Sequence, residues 1–352
     1  MSSLSTFTYP ELPPKSFFTI PEVVYASLDF QPDAIDIKQE LASQADEHDI
    51  IYYWVPDSCR LVGIFPHQGN TCYFAHWEGL NHPEAHKYAF DQFEAEAKGR
   101  GFDQILGPYH FNTFGRYRLR LQTPVWTHFD REPANPEYYV QLLENQGYKA
   151  GMRYESRLVR TSDVPDYYID KASLMASLDA VPYDFIPLTP EYWAAHEQEI
   201  YELILAVFGD NPGFQALPFE AYQKLYNPDF ARRLCLHTSI VLRDQEKGEL
   251  AAISLCHPNY KPLQLPPKEQ PDYARHYALL EKRTLLAKSQ GVHPNHRQQG
   301  LMSYLGAYGM LSFKQYYDEC LFCLMREGNF SLQFTEGLSY ASCEYALFEK
   351  KL

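Results

Sequence analysis

One order of elements comes round twice in this chain, and no other feature constrains the fold as much. In the first round, residues 50–55 are a dense β-branched and aromatic run, residues 60–65 follow after Pro56-Asp57-Ser58, and residues 71–77 give a third strand. Ala85, Tyr88, Ala89, Phe93 and Ala97 then share one helical face that ends near Gly99. Residues 104–106 form a short strand stopped by Gly107-Pro108, residues 135–147 a helix, and residues 154–159 a last strand. The second round sets a strand at 183–188, helices at 190–208 and 218–225, and a hairpin of 237–243 with 250–255. A strand at 281–292, a helix at 300–317, a strand at 319–325, a helix at 329–337 and a strand at 343–349 complete it. Two such rounds predict a duplicated α/β fold. Residues 163–170, polar and holding Pro165, read as the linker, so the expected lobes are 1–162 and 175–352. The first eighteen residues, with Pro10, Pro13 and Pro14, read as an extended arm, and helical spacing is expected over 32–48. The Pro-rich stretch 258–271 reads as an insertion.

Composition narrows the function classes. Thirty-one Lys and Arg against 45 Asp and Glu give a net charge of −14, where a generic nucleic-acid binder needs a basic footprint. No apolar run reaches the length of a membrane span, and the N-terminus lacks the basic and apolar regions of a signal peptide. Seven scattered Cys, an odd number, fit reduced thiols and a cytoplasmic chain. Cys320 and Cys323 have the spacing of half a zinc site, but on a strand residues three apart face opposite sides, so no metal is expected.

Chemistry concentrates in residues 281–302. A strand ends at Val292-His293-Pro294, a polar loop holds Arg297, Gln298 and Gln299, and Gly300 opens the helix that begins Leu301-Met302. Backbone N–H groups at a helix N-terminus cradle anions, and Arg297 adds a cationic donor. A solvated strand-to-helix turn would have the same residues.

The wider order, Val-x-Pro, Arg-x-x-Gly, amphipathic helix, strand, Asn329, short helix, Gly337-Leu338-Ser339-Tyr340 and a strand through Tyr345-Ala346-Leu347-Phe348, resembles the GNAT superfamily of N-acyltransferases. The weaker first round, with His76-Trp77-Glu78 but no Arg-x-x-Gly loop, is similar to the degenerate lobe of tandem GNAT proteins. The resemblance implies two lobes, each a mixed, mostly antiparallel sheet flanked by helices. It implies acyl-CoA, or the phosphopantetheine thioester of an acyl carrier protein, as co-substrate, and a small-molecule amine or amino-acid derivative as acceptor. The donor would lie on Gly291, Val292, Arg297, Gln298, Gln299, Gly300, Leu301, Met302 and Asn329, with the Gly291 or Val292 N–H polarising the thioester carbonyl. Glu281, His293 or a water on Ser289 would take the amine proton. Three positions depart from the family. Met302 replaces a small residue, Ser339 replaces a Gly, and the general-acid Tyr falls at Phe334 or Glu336, so that Tyr304, Tyr308, Tyr340 or a water supplies the proton, or the lobe is inactive. Rival readings are a non-catalytic ligand-binding or scaffold protein, a Fem-like aminoacyl-tRNA-dependent transferase, and thioester cleavage without an acceptor. In the first lobe, Arg116-Tyr117-Arg118-Leu119-Arg120 forms a basic island, either a solvated face or a holder for an anionic group.

Overall fold

The computed structural model describes residues 3–26, 28, 37–177, 181–266 and 268–352. The chain divides into two units: residues 1–123, 131–154 and 343–352 form unit 1, and residues 124–130 and 155–342 form unit 2. The chain thus returns at its end to unit 1.

In unit 1, strands β1 (Ser5–Thr8), β2 (His48–Val55), β3 (Cys59–Pro66) and β4 (Thr71–Gly79) pair antiparallel in chain order. Strand β5 (Gln104–Gly107) lies parallel to β4. The C-terminal strand, Ala341–Lys351, runs antiparallel to β5 and also pairs with the two-residue β6 (Leu119–Arg120). Between β1 and β2 come helices α1 (Lys15–Val24) and α2 (Ile37–Ala42). Helix α3 (Pro83–Gly99) buries Ala89, Phe90, Phe93 and Ala97 against Phe65 and Phe74 of the sheet, and α4 (Tyr138–Asn145) adds Tyr139, Leu142 and Leu143 to the same core. Strand β7 (Lys149–Arg160) contributes residues to both units.

Unit 2 opens with helix α5 (Asp166–Ser177) and strand β8 (Tyr183–Pro187). Helices α6 (Pro190–Ala195), α7 (Glu197–Phe208), α8 (Phe219–Leu225) and α9 (Pro228–Ala231) follow. Strands β9 (Ile240–Asp244), β10 (Leu250–Pro258) and β11 (Thr284–Val292) continue the antiparallel order from β8. The short α10 (Tyr273–His276) precedes β11, and helix α11 (Leu301–Tyr316) joins β11 to the parallel strand β12 (Glu319–Arg326). The C-terminal strand of unit 1 becomes β13 in chain order. Each unit therefore has a mixed, mostly antiparallel sheet flanked by helices. The apolar faces of α6 and α7, with Trp193, Ile200, Leu203 and Val207, meet Val241 and Ile253 of the unit 2 sheet. There α7 comes so close that a Cβ on Gly291 would stand 2.1 Å from a Val207 methyl, which accounts for the glycine.

Four elements differ from their expectation. The N-terminal arm contains α1, because Phe17, Ile20 and Val24 repay a helix with burial. The polar stretch 163–170 runs into α5, whose Ala172 packs with Met310 and Phe313 of α11, so tertiary burial overrides a polar composition. The helix expected over 190–208 breaks at His196 (φ −128°) into α6 and α7. Residues 329–337 hold only 3₁₀ turns, Phe330–Thr335. Of the helix expected over 32–48, residues 32–36 lie outside the described residues, and Ile37–Ala42 is helical.

Candidate active site

Strands β11 and β12 pair only from Thr284↔Glu319 to Ala287↔Phe322. Beyond that point β11 stays on β10 to Val292, so a gap opens on its other edge. A bulge marks the opening: Leu255 faces Ser289 while Cys256 faces Ala287, leaving Lys288 without an opposite residue. On β12, Leu324 is left-handed (φ 53°), and its N–H is taken by the Ser156 hydroxyl at 2.9 Å. The register settles which amides face the gap. The His293 N–H reaches the Ala251 carbonyl at 2.8 Å, and Val292 sits opposite Ala252. In an antiparallel ladder the N–H groups alternate sides, so Gly291 spends its N–H on β10 while Val292 turns its own toward the gap.

Behind the gap lies a cavity of about 250 Å³. Leu285, Ala287 and Gln290 of β11, Cys320 and Phe322 of β12, and Ser303, Gly306, Gly309, Met310 and Phe313 of α11 line it. Phe330, Gln333, Phe334 and Glu336 close another side, with Tyr168 and Lys171 from α5. From Ser303 to Phe313 the helix wall runs about 15 Å. Gly306 is held under the Phe334 ring, which a Cβ would meet at 2.8 Å, whereas nothing lies within 4 Å of a Cβ on Gly309. The lining mixes apolar side chains with the polar Gln290, Ser303, Gln333 and Glu336, a composition usual for a small-molecule site.

One helical turn before Ser303 is the loop 293–300. Gln298 and Gly300 both take left-handed conformations (φ 71° and 74°). Among the described residues, the N–H groups of Gln298, Gln299, Gly300, Leu301 and Met302 meet no acceptor, so five consecutive donors are open to an anion. His296, 1% exposed, staples this loop down: its Nε2 is 2.8 Å from Glu249 and its Nδ1 2.8 Å from the Tyr183 hydroxyl, which also donates to Gln299. Arg297 is half exposed, and its nearest acid, Asp210, is 3.9 Å away and 86% exposed. Such a pair is worth little, so the guanidinium can move to an anion at small cost. Met302 turns into the cluster of Tyr183, Val292, Leu301 and Leu305.

Of the residues singled out in the sequence, most gather at this opening and the rest lie away from it. Gly291, Val292, Arg297, Gln298, Gln299, Gly300, Leu301 and Met302 come together at the end of β11 and the start of α11. Asn329 is exposed just ahead of the 3₁₀ turns, and Tyr340 lies under the Arg157 guanidinium, 4.4 Å from ring centroid to carbon. Glu281 is exposed and precedes β11, at the far end of the strand from Val292, about 26 Å along it. Ser289 points to the sheet face opposite its neighbour Gln290, which lines the cavity. His293 accepts the Asn295 N–H on Nδ1 at 3.2 Å, which puts its proton on Nε2; burial, His296 and Arg297 lower its pKa and keep it neutral. Tyr304 and Tyr308 pack against the Val292 cluster rather than lining the cavity. The phenol that does line it is Tyr168, whose hydroxyl donates to the Phe334 carbonyl at 3.0 Å and whose pKa is raised by burial and by Tyr167 and Glu336. Its place in the polar stretch 163–170, with the composition of a linker, hides it from the sequence. Burial pushes the Cys256 thiol up to about 11 and Cys320 well above its usual value, so neither is a ready nucleophile.

Known structures share the fold of this chain. The fold matches, over 99% of this chain, a "GCN5-related glucosamine N-acetyltransferase region" of a fungal multi-domain β-N-acetylglucosaminidase (TM-score 0.52, 12% identity, 38% of that chain). It matches all of this chain to a probable N-acyltransferase from Enterococcus faecalis (TM-score 0.50, 8% identity, 73% of that chain). The chain has the GNAT fold. A tandem GNAT protein from the clavulanic acid biosynthesis pathway aligns over 99% of this chain and 98% of its own (TM-score 0.49, 10% identity). No family model and no curated protein matches the sequence.

Unit 1 of this GNAT-fold chain fills the corresponding opening. Strands β4 and β5 pair to Tyr73↔Leu106, and beyond them the buried His110 accepts the His76 N–H on Nε2 at 3.2 Å. Glu40 of α2 reaches in, its Oε2 2.7 Å from His76 Nε2 and 3.4 Å from His110 Nδ1. These three ligand atoms lie within 4.8 Å of one another, a metal-like spacing. The Nε2 bond of His110, however, places its proton on Nδ1, so the ring turns an N–H and not a lone pair toward the centre. The cluster reads as a carboxylate held at ion-pair distance from two imidazoles. Further along β4, Glu78 is buried under the Tyr25 and Tyr139 hydroxyls (2.9 and 2.7 Å) and Arg116 (3.2 Å).

Proposed function

We propose that unit 2 transfers an acyl group from an acyl thioester, either acyl-CoA or the phosphopantetheine arm of an acyl carrier protein, to the amine of a small molecule. The observation that carries this reading is the continuity of three features: the five open N–H groups with Arg297, the cavity along α11, and the Val292 N–H facing the gap between β11 and β12. The cradle takes the phosphates, the cavity takes the thioester arm and acyl chain, and the Val292 N–H receives the charge that develops on the carbonyl oxygen. The amine nitrogen attacks the carbonyl carbon, the C–S bond breaks, the amine proton leaves to a base, and the thiolate gains a proton. His293, next to Val292, serves as the base once its Nδ1 releases the Asn295 N–H. Tyr168 serves as the acid, taking the place of the phenol that Phe334 lacks. Glu281, Ser289 and Tyr340 have no step in this route.

The test is product analysis by mass spectrometry with acetyl-CoA and octanoyl-CoA against a panel of small amines. Acyl amides formed in step with free thiol support the reading. Thiol release without amide would replace it by hydrolysis, and thioester binding with no turnover would replace it by the non-catalytic reading that Phe334 favours.

A further inference from the structure

The basic island of unit 1 contains a guanidinium with no acid or hydrogen-bond acceptor against it among the described residues. Two other arginines of this unit, the buried Arg60 and the partly exposed Arg116, are provided for. Arg60 donates to the carbonyls of His76, Phe17 and Phe18, each at 3.2 Å, and Arg116 holds Glu78 and the Ala134 carbonyl. Arg118 is 8% exposed, and its Nε and Nη1 are buried with no hydrogen-bond partner among the described residues. What surrounds the guanidinium is aromatic: its central carbon is 3.9 Å from the Tyr117 ring centroid and 4.1 Å from that of Tyr154. Those two rings stand 5.9 Å apart at 80°, and Tyr109 continues the wall 6.3 Å beyond Tyr117. The backbone of Arg118 is left-handed (φ 72°), a conformation that a side chain disfavours, and its N–H is pinned to the Pro108 carbonyl at 3.0 Å.

A guanidinium stays charged at any ordinary pH, and stacking on tyrosine faces offsets only part of its desolvation. Backbone strain and an unpaired buried cation at one residue are together the mark of a position kept for binding. We propose that Arg118 is the anchor of a small-anion site in unit 1, taking the oxyanion of an organic carboxylate or phosphate whose flat or apolar body lies along Tyr117 and Tyr154. The planar donors fit such oxygens, and the aromatic walls shield the pair from water. This site is independent of the acyl-donor reading of unit 2.

The test is calorimetric unfolding of the full chain in benzoate, in inorganic phosphate and in chloride at matched ionic strength. The expected result is a saturable rise for benzoate or phosphate, about 5 °C at a hundredfold excess over Kd, and none for chloride. Benzoate alone points to a carboxylate ligand, and phosphate alone to a phosphorylated one. Arg118→Met should abolish the rise while melting, without ligand, no lower than the wild type, since it removes an unpaired buried charge. Arg118→Lys, which keeps the charge but loses the fork, should weaken binding tenfold or more. If neither anion raises the transition of the wild type, or if Arg118→Lys binds as well as the wild type, the proposal is wrong. A lower melting point for unliganded Arg118→Met together with unchanged anion response would make Arg118 a packing residue.

Discussion

Single residues carry the proposed donor site. Val292 turns its N–H away from β10, so replacing it with proline removes a donor without breaking a ladder bond. Val292→Pro should therefore still bind acyl-CoA while kcat falls by about 10²–10³, the usual cost of one oxyanion donor. Unchanged kcat would assign the carbonyl to another group. Arg297→Ala should weaken acyl-CoA binding about tenfold, the scale of one charge-assisted bond at an exposed site, as titration at low and high salt would show. Arg297, Gly300 and the family resemblance were legible because chain-local spacing encodes a loop at a helix start. Tyr168 was not, since it reaches the cavity from a helix whose role depends on packing against residues more than 130 positions away. Nor could sequence choose between the Gly291 and Val292 amides, which differ only in ladder register.

At the scale of elements, the cradle depends on the staple formed by His296. His296→Ala would leave the Tyr183 hydroxyl and Glu249 without their shared partner, and the loop would lose its anchor to β8 and to the turn that precedes β10. The expected outcome is a stability loss of about 1–3 kcal/mol by urea unfolding, together with weaker acyl-CoA binding because the cradling loop is no longer held. Strands β2, β3, β4 and β9–β12 were legible from their β-branched and aromatic runs, and α3 and α7 from their apolar faces. The turns at 330–335 and the break at His196 were not, since both satisfy the helical spacing that sequence supplies and are decided by what lies across from them.

For the molecule as a whole, buried histidines tie stability to pH. Burial lowers His76 and His257 to about 3 and His86 to about 4, so all three are neutral when folded. The unfolded chain binds a proton at each below about pH 6.5. The folded pKa values are depressed, so their contribution is complete above that pH and is lost as the pH falls toward 4, at up to about 4 kcal/mol per pH unit for the three together. Urea unfolding at pH 7.0, 6.0 and 5.0 should show stability falling at each step; a flat profile would mean that these rings are charged in the fold. Glu40, held below its ordinary range by His110 and His76 against the desolvation that opposes them, adds a further loss below about pH 4.5.

The central claim, that the opening between β11 and β12 receives an acyl thioester, is tested most directly by calorimetric titration of octanoyl-CoA into the wild type and Gly309→Phe. A side chain at Gly309 enters open space, so the variant should fold and melt as the wild type does while its cavity is filled. The account predicts saturable binding to the wild type, weakened at least tenfold in the variant. Equal binding by both proteins would place the thioester somewhere other than this cavity.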